Sequence, residues 1–399
     1  MPNTTEALLL LCRCLRRGQE PERLAALRGE LAAPRIELTE LARVASEHLL
    51  TPALFGALGA NDLLRVLPAE LRTYLGGVHA LNLERNQRLK AQALEIAAIL
   101  NRIGVEPVLL KGGIHLFDPG FGDPNSGDAN SGDPNSGDPN SGDMGARMMF
   151  DLDMAVPKAS FEPSLAALKS AGFAAEDREW IYHYPPLARP GDRATLELHL
   201  EIAEQRSVLP AAEGLRAAIP LPSARPARLR TLSPTHQVWH NVFHAQVQDR
   251  KYLLGTLALR QLHDLVSLDE RYGARIDWDA VARRMRAQGL ARELEAYLHQ
   301  ANTLFDARIA AGRAVSMNAR LHLGRCLAQT RWPALRAVVM VLGTVSHPFR
   351  RYHIELIYGR VDGRASRFAK RLRHAVHLLT KYRLGSFERY LLIHKNRYT

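Results

Sequence analysis

An α+β fold is predicted, with a small mixed sheet flanked by N-terminal and C-terminal helical regions, and three observations predict it. Apolar residues recur at helical spacing through residues 4–100 and again beyond Ser233. Between those regions Val105–Leu110 and Arg147–Val156 are apolar runs of strand length, and Thr195–Ile202 alternates with a period of two. The 399 residues allow two or three domains. They divide into a helical region 1–100, a sheet core 101–205, a helical domain 206–330 and a basic helical tail 331–399.

In the first region Leu8, Leu9, Leu11, Cys12 and Leu15 share one helix face, and Leu89, Ala93, Ile96, Ala97 and Leu100 share another. Pro34, Pro52 and Pro68 mark breaks between helices. No residue here is expected to carry chemistry.

The first strand leads into Lys111-Gly112-Gly113 and a short helical start, where the glycine amides could face an anion. The second strand carries Asp151 and Asp153, which project together because side chains two apart share a face, about 6.6 Å apart at Cα. Paired carboxylates on an apolar strand repel and desolvate at a cost unless a divalent cation or a hydrogen-bond network compensates. Mg²⁺ suits them, because it takes oxygen ligands together with substrate phosphates. Lys111 and Arg147 add positive charge nearby. The alternative is a strand end whose acids cap a helix or pair with Arg147.

Between these strands Gly122-Asp123-Pro124-Asn125-Ser126 begins four tandem five-residue units, the centre of an insertion over 118–143. Each unit has turn chemistry and almost nothing to bury, so disorder is expected. Its aspartates, five apart, do not reproduce the ligand spacing of an EF-hand.

Ser160–Gly172 reads as a helix with Phe161, Leu165 and Leu168 facing in. Trp180–Tyr184 is an expected strand pairing with Thr195–Ile202, with Pro185–Arg193 as the loop between them. In the latter strand Leu196, Leu198, Leu200 and Ile202 point inward, and Glu197, His199 and Glu201 share the other face. Glu197 supplies a third acid, Glu201 competes with it, and His199 has no assigned role. Pro210–Pro226 resembles a boundary in composition.

Ser233-Pro234 is a helix start. His236, His240 and His244 follow at i, i+4 and i+8, either as metal ligands or, the reading favoured without an acid at zinc spacing, as interface residues. Leu253–Asp269 and Trp278–Arg286 continue the helical domain, with Asp264 a cleft or capping acid.

Lys111-Gly112 after Leu110, Arg147 with Asp151-Leu152-Asp153, and Leu196-Glu197-Leu198-His199, in that order, resemble the uncharacterised nucleotidyltransferase family of the polymerase-β-like nucleotidyltransferase superfamily. Pro234, His240, His244, Leu262-His263-Asp264-Leu265 and Ile276-Asp277-Trp278 extend the likeness through the helical domain. The resemblance implies a small mixed-sheet nucleotidyltransferase core, with Asp151, Asp153 and Glu197 as catalytic residues and Mg²⁺ ligands. Lys111, Gly112, Gly113 and Arg147 would hold the phosphates of an NTP, expected to be ATP, while the acceptor hydroxyl stays open. It also places His240 or His244 at the cleft. The insertion departs from the family, which has a short connection there.

Charge is uneven. Residues 331–399 hold 15 Lys and Arg against 3 acids, which accounts for the whole net charge of +12. Within them Ser366–Leu384 reads as a basic amphipathic helix, with Tyr382, Phe387, Tyr390 and Tyr398 interspersed beyond it. RNA or an anionic membrane is the partner this tail suits, and the alternative function is a catalytically silent protein that binds one of them. No apolar run reaches the roughly 18 residues of a membrane span. The N-terminus lacks the basic stretch of a signal peptide, and Cys12, Cys14 and Cys326 suit reduced thiols. A cytoplasmic protein is expected.

Overall fold

The computed structural model describes residues 3–16, 19–34, 37–117, 143–175, 184–202, 209–312, 314–349, 351–358 and 363–381. The repeats at 122–142, most of the strand expected at Trp180–Tyr184, and Tyr382, Phe387, Tyr390 and Tyr398 lie outside the described residues.

Among the described residues five helices come first: α1 Asn3–Cys14, α2 Pro21–Ala32, α3 Leu38–Glu47, α4 Thr51–Ala60 and α5 Ala69–Arg102. Pro52 lies in the first turn of α4, and Pro68 caps α5. At 34 residues α5 runs for about 50 Å, long enough to lie on α4 at one end and under the sheet at the other. The sheet strands are β1 Val108–Leu109, β2 Asp151–Ala155, β3 Ala174–Ala175, β4 Leu187–Ala188, β5 Thr195–His199, β6 Ile219–Pro220 and β7 Arg230–Thr231. α6 Phe161–Ser170 and α7 Ala211–Arg216 lie between them. Eight helices follow: α8 Pro234–Phe243, α9 Lys251–Leu254, α10 Leu259–Tyr272, α11 Trp278–Ala287, α12 Ala291–Phe305, α13 Met317–Arg331, α14 Pro333–Ser346 and α15 Arg351–Tyr358. α16 Gly363–Lys381 is the last among the described residues.

The sheet is mixed, in the order β3-β4-β5-β2-β1-β7-β6. β2 runs parallel to β5 and antiparallel to β1, while β1 runs parallel to β7. Four differences from the sequence reading stand out. The second strand begins at Asp151, not Arg147, because the carbonyls of Arg147 and Met148 accept from the side chains of Asn82, Asn86 and Arg260 instead of from a neighbouring strand. The segment 185–193, expected as a loop, contains β4, which sets buried Leu187 opposite buried Leu196. Leu200, expected inward, is exposed because β5 ends at His199. The Pro-rich stretch 210–226 contains α7 and β6, so the sheet takes strands from beyond residue 205.

Two apolar cores result. One joins the second half of α5, α6 and one face of the sheet, with Leu89, Ile96, Leu152, Met154, Leu165 and Leu196 at its centre. The other joins α1, α3 and α4 to α8, α10, α12 and α13, and reaches the opposite sheet face through Val108, Leu110 and Ala155. Cys12 and Cys14, free and buried on α1, have thiols pushed up to about 12 by that burial. Among the described residues no helix is long and apolar enough to cross a membrane.

Candidate active site

The parallel register of β2 and β5 sets Asp151 opposite Thr195, Asp153 opposite Glu197 and Ala155 opposite His199. Alternation sends Leu152, Met154, Leu196 and Leu198 into the core beneath. Asp151, Asp153, Glu197 and His199 therefore emerge together on the other face, the side on which the helical domain lies.

Asp153 is almost wholly buried, and cations close on it. Lys111 Nζ donates to its Oδ1 at 2.6 Å, and His199 Nε2 lies 2.8 Å from the same oxygen. His199 Nε2 is also 3.5 Å from Glu197 Oε2, which Lys111 Nζ approaches at 3.9 Å. Lys111 makes this reach from a left-handed backbone, φ 50°, at the start of the 3₁₀ turn Lys111–Leu116. Such a conformation costs a non-glycine residue roughly 1–3 kcal/mol and persists where surroundings enforce it.

Burial alone would raise Asp153, yet the charge of Lys111 and the hydrogen bond and charge of His199 hold it well below the usual carboxylate range. Lys111 shows the counterpart: burial opposes its charge, but Asp153, Glu197 and Asp151 raise it above an ordinary lysine. His199 is raised in the same way, burial being outweighed by its bonds to Asp153 and Glu197. Asp151 differs, because burial and then the charge of Asp153 push it up. It is the carboxylate of the group with the least compensation.

Ligand atoms of Asp153, Glu197 and His199 lie within 4.8 Å of one another. Two carboxylates and an imidazole, with a poorly compensated third carboxylate beside them, fit a divalent cation. The oxygen donors suit Mg²⁺, and the imidazole nitrogen also suits Mn²⁺.

The other residues singled out in the sequence go elsewhere. Arg147 turns to the helical domain, its Nε and Nη2 donating to Asp264 Oδ1 and Oδ2 at 3.0 and 2.8 Å. His115 Nε2 stands 3.7 Å from the same Asp264 Oδ1. Burial would raise Asp264, yet the charges of Arg147 and His115 pull it down to about 2. Gly112 is what lets the Arg147 guanidinium pass, since a Cβ there would overlap it. A Cβ on Gly113 would overlap Leu109, and the Gly113 amide already donates to the Leu110 carbonyl at 3.2 Å.

Of the three helical-domain histidines, His236 accepts or donates with Ser233 Oγ at 2.6 Å and faces Glu213. His244 begins a π turn, His244–Gln248, and lies 3.4 Å from Asp249 Oδ2. His240 is buried beside the cluster: burial and then the charges of His244 and Lys111 keep it well below an ordinary histidine.

Sequence reasoning missed the frame that holds this arrangement. On α5, Asn82 Nδ2 donates to the carbonyls of Gly145 and Arg147 at 2.6 and 3.0 Å, and Asn86 Nδ2 to those of Met144 and Arg147 at 2.7 and 2.8 Å. Gln92 brackets Ala194 just before β5, donating to its carbonyl and accepting from its amide. The signal was present, because Asn82 and Asn86 fall at i and i+4 on the stripe continued by Leu89, Ala93 and Ile96. It also missed Arg260, which reaches the Met148 carbonyl at 3.4 Å, and Lys251 behind it. Burial disfavours the charged form of both and lowers their pKa, Arg147 adding to the effect at Arg260 and Asp249 opposing it at Lys251.

A family model described as an uncharacterised nucleotidyltransferase matches residues 34–126 and 135–306, more than half of the chain. The break between the two spans falls inside the repeats, and the match reaches further toward the N-terminus than the motifs do. No curated protein and no solved structure matches the chain significantly.

Proposed function

The chain belongs to the uncharacterised nucleotidyltransferase family, and from that membership and the acid cluster we propose that it moves a nucleoside monophosphate from Mg²⁺-bound NTP to an acceptor hydroxyl. The observation that carries this reading is the convergence of Asp153, Glu197 and His199 within 4.8 Å, with Asp151 on the same strand face. Asp153, Glu197 and His199 would hold the cation, and Asp151 would complete its acidic surroundings. When bound, the cation supplies Lewis-acid charge to the reacting oxygens.

The chain's own groups divide the remaining work, which in nucleotidyl transfer is mainly positioning and charge neutralisation. Glu197 is partly open and would accept the proton of the acceptor hydroxyl. Lys111, kept charged by three carboxylates, offers a permanent cation to a phosphoryl group. With Arg147 committed to Asp264, the outer phosphates would meet Arg260 and Lys251, whose charged forms burial disfavours and a bound anion would stabilise. ATP is the expected donor, and the three free, buried cysteines suit a cytoplasmic setting.

Calorimetry of each NTP with Mg²⁺ or Mn²⁺, paired with a pyrophosphate-release assay, tests this. Wild-type protein should bind at least one metal–NTP, and Asp153→Asn with Glu197→Gln should lose binding and release while keeping its thermal midpoint within a few degrees. Absence of both signals with all four NTPs would overturn it. That result would favour a catalytically silent protein in which Lys111, already bonded to Asp153, stands permanently where a cation would sit.

A further inference from the structure

Helix α16 is inside out. Ordinarily a surface helix turns its apolar stripe to the protein and its charges to water. Here His374 is the buried residue, 2 % exposed, packed between the rings of Phe349 and Tyr358. Lys370 Nζ donates to the Tyr358 carbonyl at 3.1 Å, and Arg371 Nε to the Phe349 carbonyl at 2.8 Å. The packed side of α16 is therefore its cationic and histidine side. The opposite side carries Ala365, Phe368, Ala369 and Leu372, all exposed, with Phe368 at 70 % and Leu372 at 56 %.

At 100° per residue, Arg371 and Arg373 fall on the two edges of that apolar stripe, both exposed. Arg371 donates through its Nε to the Phe349 carbonyl, and the side chain is exposed at this edge. From Gly363 to Lys381 the helix holds six Lys and Arg and no acid. α14 also turns apolar residues outward: Val338, Val341, Leu342 and Val345 are exposed, Val341 and Leu342 each 63 %, while Gly343 is buried against Leu254 on α9.

We propose that this C-terminal helical surface lies in the interface of an anionic lipid bilayer, with Phe368 and Leu372 inserted among acyl chains and Arg371 and Arg373 at the headgroups. An apolar face rimmed by cations on a helix too polar to span is the pattern of an interfacial helix. The rim supplies attraction to anionic lipid, and the stripe supplies burial that water cannot. A second copy of the chain suits this face poorly, because isologous pairing would oppose acid-free cationic rims. RNA suits it poorly as well, since phosphates would meet an apolar stripe that carries one aromatic ring in place of a row of stacking platforms.

Co-sedimentation of the full chain with vesicles of phosphatidylcholine containing 30 % phosphatidylserine tests the assignment. Binding is expected, with at least a tenfold drop on pure phosphatidylcholine and a similar drop for Phe368→Glu/Leu372→Glu, whose thermal midpoint should stay unchanged because both sites face water. Arg373→Gln should weaken binding and flatten its salt dependence. The proposal fails if wild-type protein stays in the supernatant, or if the Phe368→Glu/Leu372→Glu protein pellets equally. It also fails if sedimentation velocity gives a dimer that this double variant dissociates, or if single-stranded RNA binds with an affinity the double variant retains and vesicles do not compete.

Discussion

Substituting Asp264 with Asn removes a charge from the buried pair that joins the loop before β2 to α10. The side chains of Arg147 and Asp264 are only 14 % and 12 % exposed, so solvent screens them little. Removing one partner of a buried pair costs about 3–5 kcal/mol when nothing replaces it, but Asn keeps an acceptor for the guanidinium. The carboxyl's fall from 3.8 to about 2 is the net of burial, which opposes its charge, and of the Arg147 and His115 charges and the Arg147 hydrogen bond, which favour it. That fall corresponds to about 2 kcal/mol. The folded value lies below the unfolded one, so the stabilisation is complete above about pH 4 and is lost as pH falls toward about 2. Urea unfolding followed by circular dichroism should show Asp264→Asn about 2 kcal/mol less stable than wild type at pH 7, with the gap about halved at pH 3. Arg147→Met/Asp264→Leu should recover most of the loss and keep metal–NTP affinity within about threefold. A gap under about 0.5 kcal/mol at pH 7 would refute the structural role. A tenfold loss of nucleotide affinity in the double variant would show instead that Arg147 serves the phosphates.

Other expectations follow from the same geometry. Gly112→Ala drives a methyl into the Arg147 guanidinium, and should cost about 1–3 kcal/mol in urea unfolding. Asn86→Ala leaves the carbonyls of Met144 and Arg147 with one donor fewer, and the same measurement should read a loss of about 1–3 kcal/mol. Lys251→Ala and Arg260→Ala should each raise the NTP KM about tenfold, about 1.4 kcal/mol of binding, with a smaller effect on kcat. Unchanged KM in both would remove the helical domain from the phosphate site.

The acids were legible in the sequence because strand alternation is a strict rule. Once Asp151 and Asp153, and Glu197 and His199, sit two apart among apolar residues, their shared face follows, and pairing of β2 with β5 joins them. The sheet's limits were not legible. Strands of two residues such as β4 and β6 have no periodicity to read, and the start of β2 is decided by amides of α5 more than sixty positions earlier in the chain. The destination of Arg147 was hidden for a similar reason. An arginine four residues before an acid pair suggests phosphate chemistry, and only the approach of α10, 117 positions later, shows a better partner.

That long-range pairing bears on how the site is assembled. The acid face of β2 and β5 is finished by groups the sheet does not own: Arg147 is oriented by Asp264 on α10, His240 on α8 is buried within the field of Lys111 and Asp153, and Arg260 crosses to the Met148 carbonyl. Beneath, Asn82, Asn86 and Gln92 reach up from a helix that precedes the whole core. Severed from α8 and α10, the strands would still alternate, but Arg147 would lose its counter-ion beside Gly112 and the carboxylates would face water. Water would weaken the field that distinguishes Asp151, pushed up, from Asp153, held down, on one strand face.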